Sequence, residues 1–215
     1  MGKLAVILAA GGSGSRFGGD KLGALIDGKS VLDRAIAAFE GRPEITQIII
    51  AGRMMAARAG LTVTPPGTSR AQTVELAVAA VDERIEWIAV HDAARPLVSQ
   101  GLIDRVIEEA LRCGAAAPAV PVAATIKRAS GPLPATVAGT LPRQELWAVQ
   151  TPQIMRRADL LEAYRRCPIP LEQVTDDVQL LELIGRPVRL VEGEERNLKI
   201  TRPADLLLAE LLLKA

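Results

Sequence analysis

Short apolar runs, bounded by glycine or proline, alternate with stretches of helical period along most of the chain. The runs predict strands at 4–9, 45–51, 61–64, 85–91 and 115–122. Most of these runs are continuously apolar over several residues, which is typical of strands that are buried on both faces of a parallel sheet. Strand–helix alternation of this kind predicts an α/β fold with a mostly parallel, doubly wound sheet.

Apolar residues recur at helical spacing between the predicted strands. The two clearest sets are Val31, Leu32, Ala35, Ile36 and Phe39, and then Leu102, Val106, Ile107 and Leu111. Further helices are predicted at 158–166 and 174–184. A last strand at 188–191 precedes a final helix at 203–213, which begins with a proline, a residue that suits the first helical turn.

The pattern changes after residue 122. The segment 123–143 contains three prolines and little helical periodicity. It predicts an extended arm or hairpin, over about 123–146, that protrudes from the sheet; a plain surface loop is the alternative. Because the sequence shows no internal repeat, low-complexity tract or linker, we expect one domain over 1–215 with this arm attached.

Composition and charge exclude several classes of protein. The chain has 215 residues with 26 Lys and Arg against 25 Asp and Glu. Non-specific nucleic-acid binding needs a basic surplus, so no nucleic-acid partner is expected. No segment reaches the roughly 18 apolar residues of a membrane span.

Targeting signals and cysteines point to the cytoplasm. The apolar run after Lys3 is short and leads into glycines, with no cleavage-site pattern, so no signal peptide is expected. Cys113 and Cys167 lack the spacing of a zinc site or a disulfide framework, which is typical of a reducing compartment. We expect a cytoplasmic protein.

A glycine-rich segment follows the first predicted strand, from Ala9-Ala10-Gly11 through Gly14 and Arg16 to Lys21. Glycines let backbone N–H groups approach an anion closely, and open α/β sheets bind ligands at the carboxyl ends of their strands. The segment has neither the ending of a P-loop nor the GxGxxG pattern of a dinucleotide site. Together with the positive charges of Arg16 and Lys21, the segment predicts a nucleoside triphosphate site. A flexible loop with incidental charges is the alternative.

The second motif, His91-Asp92-Ala93-Ala94-Arg95-Pro96, lies at the end of the fourth predicted strand. A carboxylate beside triphosphate oxygens is a natural Mg²⁺ ligand, and an arginine binds phosphate in bidentate fashion. Asp92 and Arg95 are therefore candidates for these roles, and an Asp–Arg pair that braces the turn is the alternative. We expect His91 to orient the loop.

Three later segments carry basic or hydroxyl groups. Arg143 lies shortly before Thr151-Pro152-Gln153. The segment Thr175-Asp176-Asp177 is typical of a helix N-cap followed by an acidic first turn. Lys199 is isolated, and an isolated lysine is normally a solvated surface charge.

Taken together, these motifs occur in the order of one family. The chain resembles the 2-C-methyl-D-erythritol 4-phosphate cytidylyltransferases over residues 4–213. The resemblance rests on the glycine-rich segment, the HDAARP block, Thr125-Ile126-Lys127, the Thr151-Pro152-Gln153 block, Thr175-Asp176-Asp177 and Asn197-Leu198-Lys199-Ile200-Thr201.

The resemblance implies a Rossmann-like nucleotidyltransferase fold, a homodimer and a Mg²⁺-dependent enzyme. Its substrates would be CTP and 2-C-methyl-D-erythritol 4-phosphate, and its products 4-diphosphocytidyl-2-C-methyl-D-erythritol and pyrophosphate, in isoprenoid precursor biosynthesis. We expect no fused cyclodiphosphate synthase domain.

Carried over by position, the resemblance also implies site residues. Arg16 and Lys21 would hold the triphosphate and stabilise the transition state, while Arg143 and Lys199 would position the methylerythritol phosphate. Asp92 would lie at the metal. The implied substrate-binding residues are Ala9, Ala10, Gly11, Gly14, Gly67, Thr73, Asp92, Ala93, Arg95, Thr125 and Thr151. The arm would be exchanged between subunits, so that Thr125 and Arg143 serve the partner's site.

The sequence departs from the family pattern at the nucleotide site. Asp20 precedes Lys21 where proline is common, and Gly67 leads into Thr68-Ser69 where the family often has an acidic residue nearby. Two alternatives to the implied function stay open: a cytidylyltransferase for another polyol phosphate such as ribitol 5-phosphate, and a non-catalytic nucleotide-binding protein on the same fold.

Overall fold

The computed structural model describes residues 3–11, 17–56 and 58–214. The strands, in chain order, are β1 (Leu4–Ala9), β2 (Leu25–Ile26), β3 (Lys29–Ser30), β4 (Ile45–Ala51), β5 (Leu61–Thr64), β6 (Trp87–Asp92), β7 (Ala115–Pro121), β8 (Ile126–Ala129), β9 (Val137–Leu141), β10 (Trp147–Val149), β11 (Gln153–Arg156) and β12 (Arg189–Glu192). The helices are α1 (Val31–Ala37), α2 (Arg70–Ala79), α3 (Gln100–Cys113), α4 (Arg157–Arg166), α5 (Asp177–Leu183) and α6 (Pro203–Lys214).

The central sheet has eight strands, in the order β10-β7-β11-β6-β1-β4-β5, with β12 also paired to β7. The pairs β1–β4, β1–β6, β4–β5 and β12–β7 are parallel. The strands β10 and β11 are antiparallel to their neighbours. The predicted α/β fold with a mostly parallel sheet is confirmed.

Both faces of the sheet are buried, as the continuous apolar runs predicted. Along β1, Leu4, Val6 and Leu8 join one apolar cluster, while Ala5 and Ile7 join a second cluster. Helices α1, α3 and α6 contribute to the first cluster, and α2, α4 and α5 contribute to the second. The sheet therefore lies between two helical layers.

The predicted bounds of β1, β4 and β5 agree with the structure. Strand β6 begins two residues later than predicted, because the Ile85 N–H closes a turn by donating to the Asp82 carbonyl over 2.9 Å. Helix α5 begins at Asp177, later than the predicted 174, since Leu171–Gln173 forms a 3-10 turn first.

Two elements that position the site were not predicted. Helix α2 buries mainly small side chains, among them Ala71, Val74 and Ala77, and this gives a weak apolar period. Strand β11 is only four residues long, and it enters the sheet between β6 and β7. Its position depends on those two long strands, which are distant in the sequence.

The segment after β7 forms a hairpin of β8 and β9, which pair with each other in a separate two-stranded sheet. Its side chains are largely exposed, and Leu133 at its tip is 89% exposed. An extended hairpin was one of the two forms predicted for this segment. Within the described residues, every helix is too short or too polar to cross a membrane.

Candidate active site

A cleft of about 270 Å³ opens at the carboxyl ends of β1 and β6. These strands are parallel neighbours, and their last residues, Ala9 and Asp92, are partners in register. The two motifs singled out in the sequence therefore lie side by side. The cleft is lined by Ala9, Ala10, Gly11, Lys21, Leu22, Pro66, Gly67, Thr68, Ser69, Arg70, Thr73, Asp92, Ala94 and Lys199.

Part of the glycine-rich segment lies outside the described residues, including Gly14 and Arg16. The segment re-enters the described chain before Lys21, which lines the cleft. Next to this lysine, Asp20 accepts two hydrogen bonds from Arg53, each 2.7 Å long. The hydrogen bonds from Arg53 lower the pKa of the Asp20 carboxyl to about 2. A charged pair thus fixes the chain directly before Lys21.

The opposite wall of the cleft is the turn that leads into α2. The Gly67 N–H donates to Thr73 Oγ1 over 3.0 Å, and the Thr73 hydroxyl donates to the Ser69 carbonyl over 2.8 Å. Ser69 also caps the helix by accepting from the Gln72 N–H. A Cβ added to Gly67 would lie 2.8 Å from the backbone of Gln72 and Thr73, so this tight turn requires glycine.

Asp92 is the electrostatic centre of the site. Its Oδ2 lies 2.9 Å from Lys199 Nζ and 3.4 Å from Arg95 Nε, while its Oδ1 lies 3.6 Å from Arg70 Nη2. Burial by itself would raise the pKa of this carboxyl, but Lys199, Arg70 and Arg95 together hold the pKa well below its usual range. Asp92 is therefore ionised at neutral pH.

Lys199 comes into the site from the segment that follows β12. Its ammonium group pairs with Asp92, and its side chain is 38% exposed. A solvated surface charge was the ordinary interpretation of this lysine from the sequence alone. The structure places it in the cleft.

Arg95 is buried and braces the turn after β6. Its Nη1 donates to the Asn197 carbonyl over 2.7 Å, and its Nε faces Asp92. The bracing pair that the sequence allowed is therefore present. Ala93 is fully buried below the turn, and Ala94 lines the cleft in its place.

His91 and Thr151 hold the backbone of the same turn. The Asp92 N–H donates to Thr151 Oγ1 over 3.0 Å, and this hydroxyl lies 3.0 Å from His91 Nδ1. His91 Nε2 lies 3.1 Å from the Arg95 carbonyl, which can only accept, so this nitrogen carries the proton. Burial lowers the pKa of His91 to about 4, which keeps the ring neutral. His91 orients the loop, as predicted.

A second opening, here called the side pocket, adjoins the cleft and has a volume of about 230 Å³. It is lined by Arg70, Asp92, Arg95, Val149, Gln150, Thr151, Gln153, Thr175, Asp176 and Lys199. Arg70, Asp92 and Lys199 line both openings. Charged side chains therefore form the boundary between two adjoining spaces.

One carboxylate at this boundary, that of Asp92, could serve as the protein ligand of a hard divalent cation. Within the described residues no group of three or more His, Cys, Asp or Glu side chains could enclose a metal. Mg²⁺, however, is commonly bound by only one or two carboxylates, and substrate phosphates and water fill the rest of its coordination shell. Asp92 is ionised, lines both openings and suits that role.

Two predicted residues lie outside both openings. Thr125 and Arg143 are exposed, at the base of the arm, and Arg143 donates to the Ala123 carbonyl. Neither contributes to the cleft or to the side pocket of its own chain.

Thr175-Asp176-Asp177 behaves as predicted at the start of α5. Asp176 is the N-cap, and its side chain accepts from the Gln179 N–H over 3.1 Å. Asp177 occupies the first turn and is completely buried. Its carboxylate accepts from Arg70 over 2.7 Å. The sequence did not indicate Arg70 as a site residue, since no motif around it distinguishes it from the other arginines.

Comparison with known proteins identifies the family. The family model of 2-C-methyl-D-erythritol 4-phosphate cytidylyltransferase matches residues 4–215. The protein of that name from Dehalococcoides mccartyi (strain CBDB1) is 38% identical over 222 residues, which cover 98% of this chain and 95% of the relative. The bifunctional enzyme IspD/IspF of Desulfotalea psychrophila is 39% identical over 223 residues, and there the match spans 98% of this chain but 56% of the relative.

Solved structures agree with the family match. The crystal structure of Francisella tularensis 2-C-methyl-D-erythritol 4-phosphate cytidylyltransferase superposes with a TM-score of 0.85 at 31% identity, over 97% of this chain and 99% of the other. Both the predicted resemblance and the predicted fold are thereby confirmed. The chain belongs to the 2-C-methyl-D-erythritol 4-phosphate cytidylyltransferase family.

Proposed function

We propose that this chain transfers a cytidylyl group from CTP to 2-C-methyl-D-erythritol 4-phosphate, with release of pyrophosphate, in isoprenoid precursor biosynthesis. The observation that carries the proposal is the pair of adjoining openings with Arg70, Asp92 and Lys199 at their boundary. A reaction between two anionic substrates needs two such spaces and cations between them. Family membership supports the choice of substrates.

The cleft suits the nucleotide. Its walls are the backbone of Ala9, Ala10 and Gly11 on one side and the turn at Gly67 on the other. Backbone groups at the end of a parallel strand and the start of a helix can bind a nucleoside closely. Lys21 lies at the same cleft, where its ammonium group would hold the triphosphate. Arg16 is assigned the same task by its position in the family motif.

The side pocket suits the phosphate of the acceptor. Arg70 and Lys199 supply cations at the boundary, and Thr151 and Thr175 line the pocket wall. The acceptor phosphate is a monoester with a second pKa near 6, so it is largely dianionic at neutral pH. The attacking oxygen therefore needs no general base, and His91, which is buried and already bonded on both nitrogens, abstracts no proton.

In the reaction an oxygen of the acceptor phosphate bonds to the α-phosphorus of CTP. The bond from that phosphorus to the bridging oxygen of the pyrophosphate breaks, and its electron pair leaves with the pyrophosphate. The work of the protein is to hold the reacting atoms in line and to place cations where negative charge accumulates. Lys21 lines the cleft and would bind the triphosphate, while Lys199 lines the side pocket and would bind the acceptor.

Magnesium is proposed as the cofactor, with Asp92 as its ligand from the protein. When bound it would neutralise charge on the phosphate oxygens of the nucleotide. Asp92 supports this role because it is ionised and reaches both openings.

A homodimer through the arm is also proposed. Arg143 and Thr125 lie outside both openings of their own chain, at the base of a hairpin that pairs with no other strand in the described part of the chain. If they position the acceptor, as the family motif implies, they must do so in the partner's site. Exposed apolar side chains beside the arm, Trp147, Val149 and Leu190, offer surface for such a contact.

A cytoplasmic location is proposed as well. Cys113 and Cys167 are both free thiols, which supports a reducing compartment.

The experiment that tests the proposed function measures pyrophosphate release with CTP and Mg²⁺. Methylerythritol phosphate and ribitol 5-phosphate are offered as acceptors in parallel. Turnover with methylerythritol phosphate alone is the expected result. Turnover with ribitol phosphate in its place would overturn the substrate, and CTP binding without turnover of either acceptor would overturn the catalytic role.

A further inference from the structure

A buried ion pair lies beside the boundary of the two openings, between the first turns of α2 and α5. Arg70 Nη2 is 2.7 Å from Asp177 Oδ2. The side chain of Asp177 is 1% exposed, whereas that of Arg70 is 29% exposed and reaches the surface of both openings. The carboxylate is thus sealed inside the protein while its partner faces the site.

Local energetics do not explain why a cation occupies this position. Arg70 is the first residue of α2, and the N-terminus of a helix disfavours positive charge. Asp177 lies 107 residues further along the chain. A tertiary contact therefore holds the arginine where its own helix would repel it.

Local energetics do not explain the buried carboxylate either. Within the described part of the chain, Oδ1 of Asp177 has no hydrogen-bond partner. Burial raises the pKa of this carboxyl, and the charge of Arg70 opposes that shift. A buried carboxylate with one unsatisfied oxygen is costly, and such departures from local rules concentrate at functional sites.

The guanidinium of Arg70 points from Asp177 towards the boundary of the two openings, where it can contact a ligand. Besides its contact with Asp177, Arg70 Nη2 lies 3.6 Å from Asp92 Oδ1. A guanidinium has five N–H donors in a planar fork, so one nitrogen can hold Asp177 while others face a ligand. Planar forks of this kind match the oxygens of a phosphate.

This inference rests on the proposed function. We propose that Arg70 is a further catalytic cation, which binds the phosphate of the acceptor as it meets the α-phosphate of CTP, and that Asp177 is its positioning residue. Arg70 transfers no proton. It offsets the repulsion between the two anions, while Asp177 keeps the guanidinium at the boundary when the acceptor is absent.

The test compares Arg70→Gln, Asp177→Asn and the double variant with wild type, and Arg166→Gln serves as the control. Arg166 pairs with Glu162 on the exposed face of α4 and lines neither opening. For each protein, kcat and KM for methylerythritol phosphate are measured at saturating CTP and Mg²⁺. The Kd for CTP is measured by calorimetry, and the melting temperature records folding.

We expect Arg70→Gln to lower kcat/KM for the acceptor about 10- to 100-fold, the range of one charge-assisted hydrogen bond. The Kd for CTP should change less than about twofold, since the effect is on the acceptor. Asp177→Asn should raise the acceptor KM by a smaller factor, because the arginine remains but is no longer held. Arg166→Gln should match wild type.

The double variant separates a catalytic role from a structural one. With both charges removed no unpaired carboxylate stays buried, so its melting temperature should return towards that of wild type, while the loss in kcat/KM persists. Recovery of kcat/KM in the double variant, or unchanged kcat/KM in Arg70→Gln, would overturn the inference. An Asp177→Asn variant with wild-type kinetics would overturn the positioning role. A folded wild type without turnover would overturn the proposed function, and the inference with it.

Discussion

Lys199 Nζ lies 2.9 Å from Asp92 Oδ2, although the two residues are far apart in the chain. Asp92 ends β6, whereas Lys199 follows β12 at the far side of β7. The contact joins the carboxylate proposed to bind the metal to the ammonium group proposed to hold the acceptor. It explains why both residues line the cleft and the side pocket together.

Replacement of Lys199 by alanine should lower kcat/KM for methylerythritol phosphate by about 10²–10³, the effect of losing one fixed group that stabilises developing charge. Steady-state kinetics measure this, with the acceptor varied at saturating CTP. Lys29→Ala, which alters an exposed lysine of β3, is the matched control. Equal losses of kcat/KM in the two variants would show that Lys199 has no specific role in binding or turnover of the acceptor.

Removal of divalent metal with a chelator should abolish turnover, and addition of Mg²⁺ should restore it. Asp92→Asn should raise the Mg²⁺ concentration for half-maximal rate about tenfold or more, because Mg²⁺ prefers a charged oxygen ligand. A titration of rate against Mg²⁺ for both proteins is the measurement. An unchanged midpoint in the variant would remove Asp92 from the proposed metal site.

Alanine at Gly67 should weaken CTP binding and destabilise the fold by about 1–3 kcal/mol, as overpacking typically does. The added Cβ would lie 2.8 Å from backbone atoms of Gln72 and Thr73, which cannot move without opening the turn. Urea unfolding and CTP calorimetry record the two effects. Gly139→Ala is the control, since a Cβ there meets nothing within 4 Å. Similar behaviour of both variants would contradict the steric argument.

Asp20 should titrate at an unusually acidic pH. Its pKa is lowered to about 2 by the hydrogen bonds from Arg53. Because the folded-state pKa is below the unfolded one, the pair stabilises the fold above the ordinary pKa near 3.8, and this contribution is lost as pH falls towards 2. Carboxyl NMR should give a midpoint near 2 in wild type and a return towards 3.8 in Arg53→Gln. One midpoint shared by both proteins would contradict the pairing in solution.

Inactive Arg143→Ala and Lys199→Ala chains should restore activity when they are refolded together. In a mixed dimer with exchanged arms, one site receives Lys199 from one chain and Arg143 from the other, so about a quarter of all sites would be intact under random pairing. Refolding each variant alone is the control. Failure of mixed dimers to recover activity would place Arg143 in the site of its own chain.

Three strands of the sheet were predictable from short-range chemistry, and the site residues from the resemblance of the motifs to the family. Continuous apolar runs predicted β1, β4 and β5 with their observed bounds. The family motifs indicated Lys21, Asp92 and Lys199, and all three line the cleft. Gly14 and Arg16 were indicated by the same motifs but lie outside the described residues, so their placement stays a prediction.

The elements and the site residue that the sequence did not predict share a different cause. Strand β11 and helix α2 have weak periodicity of their own, and their places depend on β6, β7 and β1, against which they pack. Arg70 was missed for the same reason, because what distinguishes it from other arginines is a buried partner on another helix.

By itself, the sequence determined the α/β class, the alternation of its elements, and the motifs that point to a nucleotidyltransferase. The class and the alternation follow from periodicity and local residue chemistry, which act over a few positions, whereas the nucleotidyltransferase is what the resemblance of the motifs to the family implies. The tertiary structure alone decided that Lys199 and Arg70 meet at Asp92 and that Asp177 is buried behind them. Those relationships join distant segments, and they arise only when the sheet order places the carboxyl ends of particular strands side by side.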